Sequence, residues 1–475
     1  MSKQTIQNPK SKIQNPKVSP ARLAAFEILL KIEREKAFSS FLLPQAEEKL
    51  SPPDRALCHQ ITLGVLRRRI YLDRIVQSFS KTKIEKFDLE ILMSLRIGLF
   101  QLLFLDKIPD FSAINESVNL VRLAKKRSAT GLVNAVLRRA TREKEFKFEY
   151  ADEIERVSVE TSHPRRLIEH WAKSFGFEET EKLAQANNET PPLSFRLTNK
   201  SDERTIETLR KLGLEITGSD VAAGAFRVAK PNEMLFVYAA EGKIYFQEES
   251  SQLVGETVKL REGENFLDVC AAPGSKFTQI KSKLRITNYE LRDEENSKFK
   301  IADERVKITS QSIAVAGDLH EHRLRFLRDS AQKQGLSELN LIAYDAEKEL
   351  PFASEAFDCV LLDAPCSGTG TIRHNPEIRY FLTEKDFSDL QAKQLEILQN
   401  ASKVLKKNGR IVYSTCSLER EENEAVIERF LESNPEFERV SPDLPKRFLT
   451  AENFARTNPS RDSTDGFFIA VLKKK

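Results

Sequence analysis

The amino-acid sequence predicts a multidomain protein, in which an all-α unit is followed by a small α+β unit and then by an α/β unit. The chain has 475 residues, whereas one domain usually holds roughly 100 to 200 residues. Its first part carries apolar residues at three- and four-residue intervals, which is typical of helices. From about Gln247 onward, short apolar runs alternate with helical patterns, which favours an open, largely parallel sheet with helices on both faces.

Composition and charge narrow the class of protein. Hydrophobic residues make up 40% and charged residues 31% of the chain, which is typical of globular proteins. No apolar run approaches the roughly 20 residues of a membrane span, and the N-terminal lysines precede no signal-peptide core. A cytoplasmic protein without a membrane partner is therefore expected.

Residues 1–17 contain the pentapeptide IQNPK twice and four lysines but no acid, and this low complexity predicts a disordered tail. Residues 18–145 form the predicted all-α unit, with 23 Lys and Arg against 15 Asp and Glu, a charge of +8. The remainder, from residue 146, carries −8. This asymmetry favours a bound polyanion, and the alternative is a basic domain with ordinary solvated charges.

Residues 146–245 are predicted to form the small α+β unit. Helical patterns over HPRRLIEHWAKSFGFEETEKLAQANNE precede Pro191 and Pro192. The short strand patterns LSFRLT, AFRVA and KIYFQ then surround a helical pattern, DERTIETLRKLG.

The α/β unit is predicted over residues 246–475, with strands in NFLDVCA, SIAVAGD, LNLIAYDA, FDCVLLDAP, GRIVYSTC and GFFIAVL. Ligands of such sheets bind at the carboxyl ends of the strands. Four runs end in or near an aspartate: Asp268, Asp318, Asp345 and Asp363. A single such aspartate is usually a turn or a helix cap, but four at one sheet edge indicate a ligand site.

The segment DVCAAPGSK, which begins at Asp268, predicts a tight turn whose backbone approaches a ligand. It matches neither the dinucleotide-binding pattern G-x-G-x-x-G nor the P-loop. Asp318 is placed to bind a ribose diol and Asp345 an adenine amino group. An adenosine-containing cofactor is expected.

The cysteines are five: Cys58, Cys270, Cys359, Cys366 and Cys416. Their odd number and the lack of a C-x-x-C pair argue against a disulfide framework and against a metal site. Cys359 and Cys270 are expected to pack as small apolar residues. Cys366 and Cys416 each follow the end of a strand, where a thiolate would be a strong nucleophile for an electron-poor carbon.

Together, DVCAAPGSK, DAPCSGTG and YSTCS followed by EENE resemble the motifs of RsmB/NOP-type RNA (cytosine-C5) methyltransferases, which use S-adenosylmethionine. The segments AINESVNLVRLAKK and GLVNAVLRR resemble the NusB-like domain of the bacterial 16S ribosomal RNA methyltransferase B (RsmB/Sun) family. The resemblance covers roughly residues 19–472. It implies a NusB-like RNA-binding domain over 18–145, an α+β RNA-binding linker domain over 146–245, and a Rossmann-like class I methyltransferase domain over 246–475.

The resemblance also implies an activity, methylation of carbon 5 of one cytosine in 16S ribosomal RNA, at position 967, before full subunit assembly. By resemblance Cys416 adds to C6 of the base, Asp363 contacts the ring near N3, and Cys366 assists release. A monomer without metal is expected. The implied S-adenosylmethionine contacts are Cys270, Ala271, Ala272, Pro273, Gly274, Ser275, Lys276, Asp318, Asp345 and Asp363.

Three departures from the family pattern stand out. Ser275 and Phe277 replace a glycine and a threonine of the turn, a polar insertion lies at about 281–311, and His374 stands where arginine is common. The insertion makes Glu290 or Asp293 an alternative to Asp318. Two other functions are open: an RNA-binding or antitermination-type protein with a decayed methyltransferase domain, and a DNA cytosine methyltransferase that attacks through the Pro-Cys thiol.

Overall fold

The structure is a computed structural model that describes residues 17–143, 145–202, 204–283, 300–301 and 313–475. The predicted tail, apart from its last residue, lies outside the described residues. Most of the predicted insertion does so too, including Glu290 and Asp293.

Eighteen α-helices occur in the described ranges. They are α1 (Pro20–Glu35), α2 (Ser39–Glu47), α3 (Pro52–Ser80), α4 (Leu89–Phe104), α5 (Asp110–Leu123), α6 (Thr130–Arg142), α7 (Glu153–Thr161), α8 (Arg165–Phe175), α9 (Phe177–Ala186), α10 (Thr205–Lys211), α11 (Glu233–Ala240), α12 (Glu249–Thr257), α13 (Ser275–Lys283), α14 (Glu321–Lys333), α15 (Ile378–Phe381), α16 (Glu384–Lys403), α17 (Glu424–Ser433) and α18 (Pro459–Asp462).

The same ranges contain thirteen strands. They are β1 (Leu193–Leu197), β2 (Ile216–Gly218), β3 (Ala225–Val228), β4 (Ile244–Phe246), β5 (Phe266–Asp268), β6 (Lys300–Ile301), β7 (Ala314–Asp318), β8 (Asn340–Ala343), β9 (Phe357–Asp363), β10 (Leu405–Thr415), β11 (Phe437–Val440), β12 (Ala455–Arg456) and β13 (Phe468–Lys474).

The chain divides into two compact units. One comprises Met1–Lys173 together with the short segment Asn375–Phe381, and the other comprises Ser174–His374 and Leu382–Lys475. The domain boundaries drawn from the sequence stay a prediction. Within the described residues, no helix has both the length and the apolar character needed to cross a membrane.

The first unit is helical, as predicted. Several helices begin at sequence signals: Pro20 and Pro52 occupy first-turn positions, where proline is favoured because its missing N–H would be unpaired anyway. Aliphatic faces of the helices form one core. Arg96 is buried in this unit, where it pairs with Asp73 at 2.7 Å and with Glu33 at 2.9 Å, so its charge is compensated.

Within the second unit, β1 to β4 form an antiparallel sheet in the order β2-β3-β1-β4. It packs with α10 and α11 around a small apolar core that includes Phe195, Leu209 and Leu235. The predicted strand patterns of this region are confirmed. Strand β2 was not predicted, because a three-residue strand carries too little pattern to recognise.

The larger sheet has the order β11-β13-β10-β9-β5-β7-β8-β6, and β12 pairs with β13. Strands β10, β9, β5, β7 and β8 run parallel to one another, so their carboxyl ends meet at one edge. The α/β fold class is confirmed. The predicted strand GFFIAVL is the exception to the parallel order, because β13 runs antiparallel to β10.

Candidate active site

The carboxyl edge of the larger sheet collects the residues that the sequence singles out. Asp268, Asp318 and Asp363 are the last residues of β5, β7 and β9. Asp345 lies in the loop after β8, and Cys416 follows β10 directly. Parallel strands in this order bring residues far apart in sequence to one edge of the second unit.

Two thiols meet at this edge. Cys366 Sγ lies 3.2 Å from Cys416 Sγ, and both residues are partly exposed. The hydrogen bond with Cys416, and after it burial, raises the pKa of the Cys366 thiol well above its ordinary value. Cys366 therefore keeps its proton and can donate it toward the Cys416 sulfur.

Asp363 is held in one orientation. Lys276 Nζ donates to its Oδ2 at 2.7 Å, and Ser414 Oγ donates to its Oδ1 at 2.7 Å. Burial lowers the pKa of Lys276, but the Asp363 carboxylate outweighs burial and the pKa is raised. The Asp363 side chain is still 29% exposed, so this oriented carboxyl remains accessible to a ligand.

Glu422 links the loops that carry Cys366 and Cys416. It is fully buried and accepts from Ser367 N–H at 2.8 Å, from Ser417 Oγ at 2.7 Å and from Gln394 Nε2 at 3.0 Å. Burial raises the pKa of Glu422. Ser367 and Ser417 each follow one of the thiols in sequence, so one carboxyl fixes both loops.

Asn423 makes further hydrogen bonds to the loop that carries Cys416. Its Oδ1 accepts from Thr415 Oγ1 at 2.5 Å, and its Nδ2 donates to Ser417 O at 2.9 Å. Sequence reasoning did not assign roles to Glu422 and Asn423. The signal was present, because both belong to the EENE segment.

The turn after β5 has glycine where the backbone requires it. Gly274 has φ +103°, and a Cβ there would lie 2.5 Å from Leu327 Cγ. Ser275 begins α13 and is not among the residues with positive φ. Ser275, which replaces a family glycine, therefore does not have the left-handed backbone that would favour glycine. Phe277 is fully buried and stacks on Phe266, with ring centroids 6.3 Å apart.

Asp318 ties β7 to this turn. Its Oδ2 accepts from Ala272 N–H at 3.2 Å, and its Oδ1 accepts from His320 N–H at 3.1 Å. Arg323 donates to Asp318 Oδ1 at 3.3 Å and to Ala272 O at 2.7 Å. The Asp318 carboxyl is thus fixed beside the turn, which suits a residue that binds a ligand there.

Asp345 stands at the next position along the edge. Its side chain is 33% exposed and lies 3.5 Å from Lys348 Nζ, and Glu347 N–H donates to it at 3.1 Å. The preceding residue, Tyr344, fills the space beside Gly317. A Cβ on Gly317 would lie 2.1 Å from the Tyr344 hydroxyl oxygen.

Asp268 is an unexpected feature of the site. It is 1% exposed, and its Oδ1 has no hydrogen-bond partner among the described residues. Burial, and after it the Asp363 carboxylate, raises the pKa of Asp268. A buried oxygen without a partner is destabilising, so this position suits an N–H or cationic group of a ligand. Burial also raises the pKa of the Cys270 thiol, which does not favour a thiolate at this position.

Comparison with protein-family models gives three matches. The 16S rRNA methyltransferase RsmB/F model matches residues 302–473, the NusB family model matches 19–142, and the RsmF/B-like ferredoxin-like domain model matches 163–234. The fold and these matches together define a methyltransferase that carries a NusB domain.

Curated relatives identify the family. The probable ribosomal RNA small subunit methyltransferase B of Bacillus subtilis is 33% identical, over 97% of this chain and 100% of its own. Its counterpart from Synechocystis is 31% identical, over 96% of this chain and 99% of its own. The chain belongs to the ribosomal RNA small subunit methyltransferase B family, so it is a methyltransferase of ribosomal RNA.

Solved structures agree on the fold. The crystal structure of PH0851 covers 97% of this chain and 100% of its own, with a TM-score of 0.77 and 24% identity. A methyltransferase homolog protein from Pyrococcus horikoshii covers 69% of this chain and 100% of its own, with a TM-score of 0.55 and 26% identity.

Proposed function

We propose that this protein transfers a methyl group from S-adenosylmethionine to carbon 5 of a cytosine in 16S ribosomal RNA, at position 967, through a covalent bond between Cys416 and C6. The observation that carries the proposal is the pair of thiols 3.2 Å apart on the edge that also carries the oriented Asp363. Its substrate is RNA that is not yet fully assembled into the subunit, and its location is the cytoplasm.

The residues around the turn suit the proposed cofactor. The backbone from Cys270 to Lys276 would hold the methionine part, Asp318 the ribose and Asp345 the adenine. The buried Asp268 Oδ1, which has no partner among the described residues, matches a cofactor with cationic ammonium and sulfonium groups. When bound, S-adenosylmethionine supplies the methyl group.

Cytosine C5 is too weak a nucleophile to react unaided. Addition of Cys416 to C6 makes C5 more nucleophilic. Its sulfur forms a bond to C6, and the electrons of the C5–C6 double bond shift toward C5 and the N3 side of the ring. Asp363, clamped by Lys276 and Ser414, hydrogen-bonds or protonates the ring near N3 as charge develops there.

After methyl transfer, the proton on C5 leaves, its electron pair restores the C5–C6 double bond, and the Cys416–C6 bond breaks. Cys366 lies at the departing sulfur. Its raised pKa suits a thiol that holds a proton and can pass it to Cys416 as that bond breaks. One thiol attacks and the other assists release.

The target base has to leave any helical stack to reach Cys416, as in other enzymes that act on a base. The +8 charge of residues 18–145 supports binding of the flanking phosphates by the first unit.

Methyl transfer from labelled S-adenosylmethionine to protein-free 16S RNA tests the proposal, with the modified base mapped for wild type, Cys416→Ala and Cys366→Ala. We expect wild type to make 5-methylcytosine and Cys416→Ala to be inactive. Cys366→Ala is expected to accumulate a covalent protein–RNA adduct, because attack proceeds while release is slowed.

Other outcomes contradict the proposal in distinct ways. A wild-type protein that binds the RNA without methylating it would favour the decayed-enzyme function. An adduct formed by Cys416→Ala but not by Cys366→Ala would reverse the two thiols, as in the DNA cytosine methyltransferase alternative.

A further inference from the structure

The segment from Thr464 to Phe467 lies directly against the catalytic loops. Gly466 N–H donates to Gly370 O at 2.9 Å, and Gly370 N–H donates to Cys416 O at 2.9 Å. A Cβ on Gly370 would come 2.0 Å from Gly466 O. Three segments of chain therefore meet through their backbones, and one of them carries the nucleophile.

The backbone of Asp465 is fixed on both sides. Its N–H donates to Glu248 Oε1 at 3.0 Å, and its carbonyl oxygen accepts from Ser250 Oγ at 2.8 Å and from Thr457 Oγ1 at 2.7 Å. Its neighbour Phe467 lies over Lys276, with Nζ 5.0 Å from the ring centroid. The Asp465 side chain is thus held at a set position beside the Cys416 loop.

The Asp465 carboxyl is buried but incompletely bonded. It is 3% exposed, and its Oδ1 has no hydrogen-bond partner among the described residues. Its Oδ2 lies 3.5 Å from Nε2 of His374, whose side chain is 40% exposed. Leaving a buried polar oxygen without a partner is destabilising, so its retention here indicates a partner that arrives with the substrate.

Burial raises the pKa of Asp465 well above its ordinary value, and the Glu248 carboxyl adds to the effect. The charged and titratable groups around it are Glu248, Arg373, Cys416, Glu249 and His374. A protonated carboxyl is a hydrogen-bond donor, whereas an ionised one only accepts.

We propose, resting on the function proposed above, that Asp465 is a further catalytic residue whose carboxyl donates a hydrogen bond to the carbonyl oxygen O2 of the target cytosine. Attack of the Cys416 sulfur on C6 moves electron density onto N3 and, through C2, onto O2. Asp363 contacts the ring near N3. Negative charge also develops on O2, which Asp363 does not contact in this proposal. The proton stays on Asp465 throughout, so no further reactant is needed.

Substitution of Asp465 tests this role. Asp465→Asn keeps an N–H donor of similar shape, and Asp465→Leu replaces the carboxyl with an apolar group of similar size. We expect the Leu variant to lose about 100-fold or more in single-turnover methyl transfer, the usual effect of removing a donor to a developing oxyanion. The Asn variant should stay within about tenfold of wild type by the same reasoning. Glu452→Gln, at an exposed position of the same unit, controls for the lost carboxyl.

An RNA carrying 2-thiocytosine at the target position distinguishes contact from structural support. Sulfur is a weaker acceptor than oxygen, so wild type should slow on this RNA, while the Leu variant should show little additional slowing. Equal slowing of both enzymes, or an Asn variant as inactive as the Leu variant, would overturn the proposal. This comparison holds even where one variant lowers the melting temperature, because each enzyme is compared with itself on two RNAs.

Different results would reject the proposed function and the role of Asp465. Absence of the Cys416-dependent adduct in wild type would reject the proposed function. A wild-type adduct, with a Leu variant that forms it at the wild-type rate, would reject only the role of Asp465.

Discussion

At the scale of single residues, the two thiols of the candidate site affect each other. Cys366 and Cys416 both end up at the same sheet edge, 3.2 Å apart. The hydrogen bond between Cys366 and Cys416 is the largest cause that raises the pKa of Cys366. A pair in which one thiol holds a proton for the other is suited to reversible addition, because the attacking sulfur must also become a leaving group.

Alkylation by iodoacetamide at about pH 8, followed by peptide mass spectrometry, checks this coupling. Replacing Cys416 with alanine removes the largest cause that raises the pKa of Cys366, so its pKa should fall and its thiolate fraction should rise. Each unit of pKa corresponds to about tenfold more thiolate at a pH well below the pKa. We therefore expect Cys366 to react several-fold faster in Cys416→Ala than in wild type.

Cys359 is the internal control for this experiment. It is fully buried within β9, and burial raises its pKa to about 12. It should remain unlabelled in both proteins. An unchanged rate at Cys366 would show that burial, not Cys416, controls its protonation.

The sequence indicated some residues of the candidate site better than others. Asp363, Cys366 and Cys416 follow apolar runs, a local pattern that can be read directly. Glu422 and Asp465 are instead held in place by contacts with residues more than 50 positions away in sequence, such as Ser367 and Ser250. No local pattern encodes such a distant hydrogen bond, although the EENE segment contains Glu422.

At the scale of elements, strand register sets the site. Ser414 of β10 is paired with Asp363 of β9 in the parallel ladder, which places their side chains next to each other on one face. The alternating pattern predicted that both strands exist. It could not supply their register or the antiparallel direction of β13, because both depend on pairing between distant segments.

The turn that begins α13 gives a prediction at the same scale. Gly274→Ala should weaken binding of S-adenosylhomocysteine, measured by calorimetry, and lower the melting temperature. The alanine would adopt a left-handed backbone, at about 1–2 kcal/mol, and its Cβ would meet Leu327.

Ser275→Gly is the matched variant for this test, since it restores the family residue. Glycine within a helix is less stable by roughly 0.5–1 kcal/mol, so a small loss of stability is expected, with unchanged cofactor affinity. A large gain in affinity from Ser275→Gly would show that the second position of the turn needs glycine after all.

At the scale of the whole molecule, the chain returns to the helical unit just after the Cys366 loop. The segment Asn375–Phe381 belongs to the first compact unit, although it lies within the methyltransferase part of the sequence. Arg379 is fully buried there, with Nη1 3.3 Å from Thr161 O. Glu377 accepts from Ser39 N–H at 2.6 Å and from Ser39 Oγ at 2.8 Å. Composition could indicate a basic helical unit. It could not show that the distant segment Asn375–Phe381 belongs to that unit.

Tyr380→Phe tests whether this segment stabilises the helical unit. The Tyr380 hydroxyl lies 2.7 Å from Leu66 O and 3.0 Å from Ser162 O, and losing a part-buried hydrogen bond costs about 1–2 kcal/mol. Urea unfolding of the full chain should show that loss. Tyr150→Phe, which removes a more exposed hydrogen bond to Glu160 of 3.2 Å in the same unit, should have little effect on this measurement. Equal behaviour of the two variants would mean that the segment is held by its apolar contacts and not by Tyr380.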